Sequence, residues 1–194
     1  MISLHMIVRD EAELLPKLLA HIKPFVEEMV IIVDDRTTDG SGRIAITHGA
    51  RALPYTLNHD FGAMRNYGLE QVTQPWVLQI DADEWPITEL LRWCGEFVRS
   101  DASRDVDCVS VYRQNFVDGN GIGERTYEWQ HRLFRSHRRF VGRIHETVVP
   151  QKGRHVMAPK GLLLLHHKTQ ERQNRANEQY MEWEEQRKLV GGNE

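Results

Sequence analysis

Trp76-Val-Leu-Gln-Ile-Asp81-Ala-Asp83-Glu84 leads from an apolar stretch directly into two aspartates one residue apart. Residues 76–80 are typical of a buried strand, and side chains two apart in a strand point the same way, with Cα atoms about 6.5 Å apart. Asp81 and Asp83 can therefore bind one hard cation, which in turn would bind phosphate. At the carboxyl end of a central parallel strand, the pair would lie where open α/β sheets bind their ligands. The alternative is that Asp81 caps the next helix and Asp83 is solvated.

The chain around this motif alternates between strand and helix patterns. Strands are predicted at 2–8, 29–33, 50–54 and 76–80. Helix patterns follow them: the first begins at a capping box of Asp10 and Glu13, the second stops at Gly49, the third is capped by Asp60, and the fourth has Pro86 in its first turn. Such alternation predicts an α/β fold with a Rossmann-type, mainly parallel sheet and helices on both faces.

The second half of the chain has a different pattern. Antiparallel strands of a smaller lobe are predicted at 106–117, 126–134 and 140–149. Asp118-Gly-Asn-Gly121 is the predicted turn between the first two. Residues 162–165 form another strand pattern, which is followed by His166 and His167.

We predict a single domain over residues 1–194, because no Pro/Gly/Ser-rich stretch divides the chain. Its parts are a first half, 1–100, a second half, 101–168, and a C-terminal helix and tail, 169–194. The stretch 171–189 is strongly charged and predicts a surface helix, with Tyr180, Met181 and Trp183 as docking residues.

The composition limits the partners and the compartment. The net charge of −3 gives no general attraction for nucleic acid, although basic residues are concentrated between Arg132 and Arg143. No apolar run approaches the roughly 20 residues that span a bilayer, and residues 1–8 are too short for a secretory signal. Cys94 and Cys108 have neither a metal-ligand spacing nor a disulfide framework. We therefore expect a cytoplasmic protein without a nucleic-acid partner, and peripheral attachment to a membrane is left open.

Four motifs occur in order across the first half of the chain. They are His5-Met-Ile-Val-Arg-Asp-Glu11, Val30-Ile-Ile-Val-Asp-Asp-Arg-Thr-Thr-Asp-Gly40, Phe61-Gly-Ala-Met-Arg-Asn66 and Leu78-Gln-Ile-Asp-Ala-Asp-Glu84. In this order and spacing they resemble the family-two glycosyltransferases of the GT-A fold, with weaker similarity at 132–135, 140–146 and 165–167. The resemblance implies an inverting, hexosyltransferase-type enzyme that moves a sugar from a nucleotide-diphosphate sugar, with UDP-sugar favoured, to an acceptor hydroxyl. It also implies Mn²⁺ or Mg²⁺ at the Asp-x-Asp motif, donor binding in 1–100 and acceptor binding in 101–168.

The resemblance further implies donor contacts near the ends of the first strands. Asp34 and Asp35 follow the second strand, where carboxylates can accept hydrogen bonds from a ribose or a uracil; alternatively they cap the turn at 37–41. For residues 9–11 the alternative is the capping box, and for Arg65 it is a solvated side chain. The full set of expected nucleotide-sugar contacts is Val8, Arg9, Glu11, Asp34, Asp35, Arg65, Asn66, Asp81, Ala82, Asp83 and Arg132.

A late histidine is expected to complete the metal site of Asp81 and Asp83, because two carboxylates leave room in an octahedral shell. His166 and His167 have the position that the resemblance implies. Adjacent residues of a strand face opposite sides, so only one of them can point at the metal, and His166 is favoured. The alternative is that both are structural or surface histidines.

Inverting transfer needs a base that takes the proton of the attacking hydroxyl. Glu146 is the first candidate, since 143–146 resembles the acceptor-side strand of the family and His145 lies beside it. Glu128 and Glu124 are the competing candidates, and an exposed glutamate without a function is the alternative for each. Arginines of the same region can hold the diphosphate or an anionic acceptor, or be solvated: Arg132, Arg135, Arg138, Arg139 and Arg143.

Other function classes fit the sequence less well. A haloacid-dehalogenase-type phosphatase carries its Asp-x-Asp on the first strand, and a sugar nucleotidyltransferase has a Gly-rich loop after that strand, whereas residues 8–12 contain no glycine. A non-catalytic nucleotide-sugar-binding module would be expected to have lost one acid of the pair. The chain is short for this family, which favours either a simple or externally presented acceptor, such as a glycan, lipid or protein, or a site completed in a homo-oligomer.

Overall fold

The computed structural model describes residues 1–122, 126–148 and 154–189. Its strands are β1 Ile2–Val8, β2 Glu28–Asp34, β3 Arg51–Tyr55, β4 Trp76–Gln79, β5 Glu84–Pro86, β6 Val106–Val117, β7 Asn120–Gly121, β8 Tyr127–Arg135, β9 Phe140–Val141, β10 Thr147–Val148, β11 Arg154–Met157 and β12 Leu163–Lys168. Its helices are α1 Leu15–Ile22, α2 Ser41–Thr47, α3 Phe61–Gln71, α4 Thr88–Arg99 and α5 Gln170–Leu189, and 3₁₀ turns lie at Lys23–Phe25 and Asp101–Ser103. None of the described helices combines the length and the apolarity needed to cross a bilayer.

One sheet runs through both halves of the chain. Its strands follow the order β3-β2-β1-β4-β8-β6-β12-β5, and β7 and β11 also pair with β6. β1 pairs in parallel with β2 and β4, and β2 pairs in parallel with β3, which confirms the predicted α/β class. The antiparallel pairs β4–β8 and β6–β8 carry the same sheet into the second half, while β9 and β10 form a small separate sheet.

The core lies on both faces of the large sheet. Neighbouring residues of β2 divide between two buried clusters, because side chains alternate along a strand. Met29 and Ile31 pack with α1 and α4, whereas Val30 and Ile32 pack with Met64 of α3. Both faces of the central strands are therefore covered, as expected for a parallel sheet.

Helix α3 lies unusually close to the sheet because of Gly68. A Cβ atom at this position would be 2.2 Å from Nε2 of His5 on β1 and 2.8 Å from Ile32 on β2. The missing side chain thus sets the distance between α3 and the strands. Since α3 carries Arg65, this contact also sets how far Arg65 reaches toward the end of β4.

Two predicted helix starts are wrong. α1 begins at Leu15 without a side-chain cap, and Asp10, with φ of 53°, instead accepts hydrogen bonds from the backbone of Thr38 and Asp39 in the loop before α2. The predicted capping box therefore does not form, because the Asp10 carboxylate accepts hydrogen bonds from this distant loop and not from the start of α1. Pro86 lies in β5 rather than in the first turn of α4, whose N-cap is Ile87. The predicted cap of Asp60 on α3 is confirmed: its Oδ1 accepts from the N–H of Ala63 at 2.8 Å.

The second half departs from its predicted strands in three places. Instead of one strand at 140–149, β9 and β10 are separated by a turn in which Gly142 and His145 have φ of 97° and 59°. β12 continues to Lys168, so the strand predicted at 162–165, with His166 and His167 at its end, includes both histidines and one residue more. β11 was not predicted, and both β11 and β12 pair with β6 in parallel.

Candidate active site

The two aspartates lie in a short connection between β4 and β5. β4 ends at Gln79 beside β1, and β5 begins at Glu84, whose partner in β12 is His166. The backbone of this connection is fixed at both ends, because the N–H of His167 donates to the carbonyl of Asp83 at 3.0 Å and the N–H of Glu84 donates to that of Asp81 at 3.0 Å. Asp81 and Asp83 are thus held at the carboxyl edge of the sheet.

Asp81 is surrounded by hydrogen-bond donors. Its Oδ1 accepts from Arg65 Nη2 and from Gln79 Nε2, each at 3.0 Å, and its Oδ2 accepts from Arg132 Nη2 at 3.2 Å. Burial alone would raise the pKa of Asp81, but the charges of Arg65 and Arg132 outweigh it and hold the pKa well below its usual range. Asp81 is therefore a carboxylate at neutral pH.

Arg65 joins Asp81 to the predicted base. This guanidinium is almost fully buried, and its Nε donates to Oε1 of Glu146 at 2.6 Å while Nη2 donates to Asp81. The two acids lie on different segments, one after β4 and one before β10. The structure thus brings together three residues that the sequence analysis singled out separately.

Arg132 reaches the site because β8 contains a bulge. Cys108 and Val109 of β6 lie opposite Phe134 and Leu133, but Ser110 lies opposite His131, so Arg132 has no partner across the pair. An extra residue in a strand redirects its side chain. Here the guanidinium of Arg132 contacts Asp81 and, at 2.6 Å, Glu84.

Glu84 and Arg113 also belong to the site, although they were not among the predicted residues. The side chain of Glu84 is fully buried, accepts from Arg113 Nη1 at 2.8 Å and from Arg132, and its Oε2 accepts from the N–H of Asp81 at 3.1 Å. A buried carboxylate in contact with two guanidiniums fixes their positions. The Asp-x-Asp-Glu run pointed to Glu84, but nothing in the spacing pointed to Arg113.

Asp83 faces His166. Its Oδ2 is 3.4 Å from Nε2 of His166, and Nδ1 of the same ring is 2.8 Å from Oδ1 of Asn115. Burial acts to raise the pKa of Asp83, but the hydrogen bond and the charge of His166 lower it below its ordinary value. His167 is exposed on the other face of β12 and stacks on Phe116 at 4.8 Å. The predicted alternation of the two histidines therefore holds, and His166 is the one beside the Asp-x-Asp motif.

Glu128, the second candidate base, lies near the start of β8. It accepts from Arg113 and, at 2.9 Å, from Nδ2 of Asn115, and 40% of its side chain is exposed. Burial acts to raise the pKa of Glu128, but Arg113 and Asn115 lower it. Glu124, the third candidate base, lies outside the described residues.

A cleft at the ends of β1 and β2 brings together several expected donor contacts. Val8, Arg9, Glu11 and Asp34 all line it. The buried carboxylate of Asp34 is engaged by Arg36, at 3.0 Å from Nε and 2.7 Å from Nη2. The neighbouring Asp35 is exposed and accepts from the hydroxyl of Thr56.

Helix α5 closes one side of this region. Arg172 forms an ion pair with Glu11, and Trp183 is buried against His59, with ring centroids 4.5 Å apart. Burial raises the pKa of Glu11 to about 7, and the charge of Asp83 adds to this effect, although Arg172 opposes it. Tyr180 of α5 contacts His145, the neighbour of Glu146, with ring centroids 5.6 Å apart. Burial, followed by the charges of Glu146 and Asp81, raises the pKa of Tyr180.

Other expected contacts have different partners in the structure. The amide of Asn66 donates to the carbonyl of Phe140 at 3.0 Å and accepts from its N–H at 2.8 Å, so it fixes β9 to α3. The methyl of Ala82 packs in the core, which leaves only its backbone for a ligand. Of the five arginines expected to hold an anion, only Arg132 reaches the acids.

The remaining four arginines have partners elsewhere. Arg135 stacks over Trp76 at 4.1 Å, Arg138 pairs with Asp107, and Arg143 pairs with Asp60 at 3.3 Å. Arg139 donates to the carbonyls of Ser136 and Arg138. A diphosphate-binding role for these four is not supported.

Comparison with known proteins identifies the family. Residues 3–157 match the model of the family described as Glycosyl transferase family 2. The lipopolysaccharide core biosynthesis glycosyltransferase LpsC of Rhizobium meliloti is 26% identical over 160 residues, which are 77% of this chain and 57% of LpsC. A TPR repeat-containing protein of Synechococcus elongatus is 44% identical over 88 residues, or 45% of this chain and 22% of that protein.

The fold also resembles that of a protein solved in complex with a nucleotide sugar. Residues 1–349 of S. aureus TarS, in complex with UDP-GlcNAc, superpose with a TM-score of 0.62 at 15% identity, over 86% of this chain and 58% of that one. The chain spans little more than half of LpsC and about a fifth of the Synechococcus protein. The family model covers most of the chain and confirms the resemblance drawn from the four motifs, so this chain belongs to glycosyl transferase family 2.

Proposed function

We propose that this chain transfers a sugar from a nucleotide-diphosphate sugar, UDP-sugar being favoured, to an acceptor hydroxyl. The observation that carries the proposal is the arrangement at the carboxyl edge of the sheet. There Asp83 meets His166 at 3.4 Å, and beside them Arg65 links Asp81 to Glu146. This edge is where open α/β sheets bind nucleotides.

Asp81, Asp83 and His166 are the residues that would hold a divalent ion. Asp83 and His166 fit this role, because the contact of His166 Nδ1 with Asn115 leaves Nε2 turned toward the Asp83 carboxylate, as second-shell partners of metal-bound histidines do. Both oxygens of Asp81 accept from arginines, so Asp81 would have to exchange one of these contacts for the ion. Carboxylates suit Mg²⁺ and Mn²⁺ alike, whereas an imidazole ligand favours the transition metal. We therefore favour Mn²⁺, which when bound would neutralise charge on the diphosphate.

Side chains of the protein supply the base for the proton of the acceptor hydroxyl and hold that base in place. Glu146 is the proposed base: Oε1 is held by Arg65, and within the described part of the chain Oε2 makes no hydrogen bond and can accept the proton of the acceptor hydroxyl. The hydroxyl oxygen attacks the anomeric carbon as the bond to the nucleoside diphosphate breaks. A single displacement of this kind inverts the anomeric configuration.

The nucleoside is proposed to lie in the cleft lined by Val8, Arg9 and Glu11. The exposed carboxylate of Asp35 can accept hydrogen bonds from the ribose or the uracil imide, and Asp34 fixes the loop that follows by holding Arg36. The acceptor would be a glycan, lipid or protein that approaches from the Glu146 side.

Two other functions remain as alternatives to sugar transfer. A non-catalytic nucleotide-sugar-binding module would bind UDP without releasing it from a UDP-sugar. A sugar nucleotidyltransferase would instead join a nucleoside triphosphate to a sugar phosphate with release of pyrophosphate. Incubation with UDP-sugars and Mn²⁺ distinguishes the three functions. Only a transferase releases UDP from the donor, as it passes the sugar to an acceptor or, slowly, to water.

Calorimetry of UDP binding with and without Mn²⁺ tests the proposed donor site. Asp83→Asn keeps the size of the side chain but removes its charge, and we expect metal-dependent binding of UDP to weaken by at least about 100-fold. Asp101→Asn is the matched control, since 91% of the Asp101 side chain is exposed in a 3₁₀ turn. Unchanged affinity in Asp83→Asn would contradict the proposal.

A further inference from the structure

A thiol and two imidazoles converge on the second-half part of the sheet, away from the proposed donor site. Cys108 of β6, His131 of β8 and His155 of β11 each offer a ligand atom, and these atoms all lie within 4.8 Å of one another. We call these three residues the thiol–histidine cluster. The sheet brings them together, because His155 lies opposite Cys108 on one side of β6 and His131 lies opposite Ser110 on the other.

Ser110 sits between the two imidazoles. Its hydroxyl oxygen is 2.8 Å from Nδ1 of His131 and 2.8 Å from Nε2 of His155. A hydroxyl has a single hydrogen and can donate to only one of these nitrogens. Two ring nitrogens and a sulfur thus lie close together, with the Ser110 hydroxyl between the two rings, and three such atoms are typical ligands of a tetrahedral cation.

A serine–histidine nucleophile is a less suitable interpretation. Only 1% of Ser110 is exposed, so a substrate carbonyl cannot reach its hydroxyl. A disulfide is not formed either, because Cys94 and Cys108 are both free and buried. Metal binding remains the chemistry that uses all three side chains together.

The cluster is separate from the Asp-x-Asp site. Alternate residues of β6 face opposite sides, so Cys108 and Ser110 lie on the face away from Arg113 and Asn115, which contact the proposed donor site. Cys108 packs in the hydrophobic cluster that contains Phe134 and not in the one beneath the aspartates. An ion would enter from the exposed side, where His155 lies.

We propose that Cys108, His131 and His155 bind a borderline-soft divalent transition metal, with Zn²⁺ as the best fit. Thiolate and imidazole are the ligands that Zn²⁺ prefers in tetrahedral sites, and a water molecule would take the fourth position. Zinc ligands lie roughly 3.5 Å apart, so the exposed ring of His155 would turn inward on binding. Cys108 would release its thiol proton to solvent as the sulfur–metal bond forms, and the ion would tie β11 to β6 and β8.

Spectroscopic titration of the metal-free full chain tests this proposal independently of sugar transfer. Co²⁺ serves as the probe, because a thiolate ligand gives a sulfur-to-cobalt charge-transfer absorption, and Zn²⁺ should displace it. We expect Cys108→Ser to abolish the absorption. His155→Ala should weaken the Zn²⁺ affinity read from the loss of this absorption more than about 100-fold, beyond the loss typical of an outer-shell partner. Cys94→Ser and Asp83→Asn should leave the absorption and its displacement by Zn²⁺ unchanged.

His155 is exposed, so a variant at this position can test the proposal without disturbing the core. If Cys108→Ser does not fold, His155→Ala still reports on the site, since its side chain is not part of the core. Absence of the charge-transfer absorption in the unmodified chain would overturn the proposal. So would Zn²⁺ affinity that His155→Ala leaves unchanged.

Discussion

Charged residues at the end of β4 depend on each other across long sequence distances. Arg65 holds Asp81 and Glu146, and Arg132 holds Asp81 and Glu84, so each guanidinium serves two acids. A guanidinium can do this because its donors form a planar fork, which a lysine does not have. The site therefore depends on the positions of a few buried arginines as much as on the Asp-x-Asp pair.

The proposed base gives the first prediction. Glu146→Gln keeps the size of the side chain and the contact with Arg65 but removes its basicity. We expect turnover of a UDP-sugar to fall by about 10²–10⁴-fold with little change in UDP affinity. NMR of the product should show an inverted anomeric configuration in the unmodified enzyme.

Glu128→Gln is the matched control for this prediction, because Glu128 is also paired with an arginine, Arg113, but among the described residues shares no arginine with Asp81. It should keep most of the activity. A large loss in Glu128→Gln together with full activity in Glu146→Gln would move the base to Glu128. Retention of configuration would exclude a single displacement.

Glu11 gives the second prediction, which concerns pH. In the folded state burial raises the pKa of Glu11 from 4.5 to about 7, so between these values the folded chain binds more protons than the unfolded chain. Stability contributed by Glu11 therefore falls as the pH rises through this window. Glu11→Gln cannot titrate and therefore does not lose this stability. As the pH rises from 4.5 to 8, the free energy of unfolding of the variant should increase relative to that of the unmodified chain by on the order of 1–3 kcal/mol.

Urea unfolding at several pH values measures this difference. The exchange of a neutral glutamic acid for glutamine shifts the variant by an amount that does not depend on pH, so only the change with pH is diagnostic. Glu13→Gln, two residues away and exposed, should run parallel to the unmodified chain. Parallel curves for Glu11→Gln as well would show that Glu11 does not hold its proton near neutral pH.

Sequence reasoning found residues whose position follows from local geometry. Two-residue alternation placed His166 and His167 on opposite faces of β12, and it placed Asp81 and Asp83 after the same strand. It could not find Arg113, which reaches Glu84 from β6, 29 residues later in the chain, or the bulge that redirects Arg132. These depend on strand pairing, which spacing does not encode.

Elements of the first half were predicted well because their signals are local. β1, β2 and the cap of α3 agree with the structure. The missed strand β5 has three residues and exists through pairing with β12. The strand predicted at 140–149 divides into β9 and β10, which have two residues each and pair with each other. Strands this short have no periodicity of their own to detect.

Helix α5 gives the third prediction. Its sequence is polar, so its order depends on docking through Trp183, which is 6% exposed. Trp183→Ala should remove about 3–5 kcal/mol from the free energy that keeps α5 docked. Amide hydrogen exchange should then show lost protection in 170–189 and unchanged protection in β1, β2 and β4.

Met181→Ala is the matched control, because Met181 lies on the same helix and is 58% exposed. It should leave the exchange of α5 as it is. Retained protection of 170–189 in Trp183→Ala would mean that other contacts, such as the ion pair of Arg172 with Glu11, are sufficient to hold the helix.

At the scale of the whole molecule, the sheet makes the two halves one unit. β4 from the first half pairs with β8 from the second through Trp76, Val77 and Leu78, which are all buried. The proposed active site has the same division, since Asp81 lies in one half and Glu146 in the other. We therefore predict that the chain is one domain, in which neither half folds without the other.

Fragments give the last prediction. A fragment of residues 1–104 keeps β1 to β4 but lacks β8 and β12, so it exposes the buried side of Trp76 and leaves β5 without its partner. We expect it to show no cooperative unfolding in urea, whereas 1–168, which loses only α5 and the tail, should show one transition by both circular dichroism and tryptophan fluorescence. A sigmoidal transition in 1–104 would make the first half an independent domain. In that case Arg65 and Asp81 would be positioned before the second half folds. The contacts of Arg65 with Glu146 and Phe140 and of Asp81 with Arg132 would then form when the second half folds.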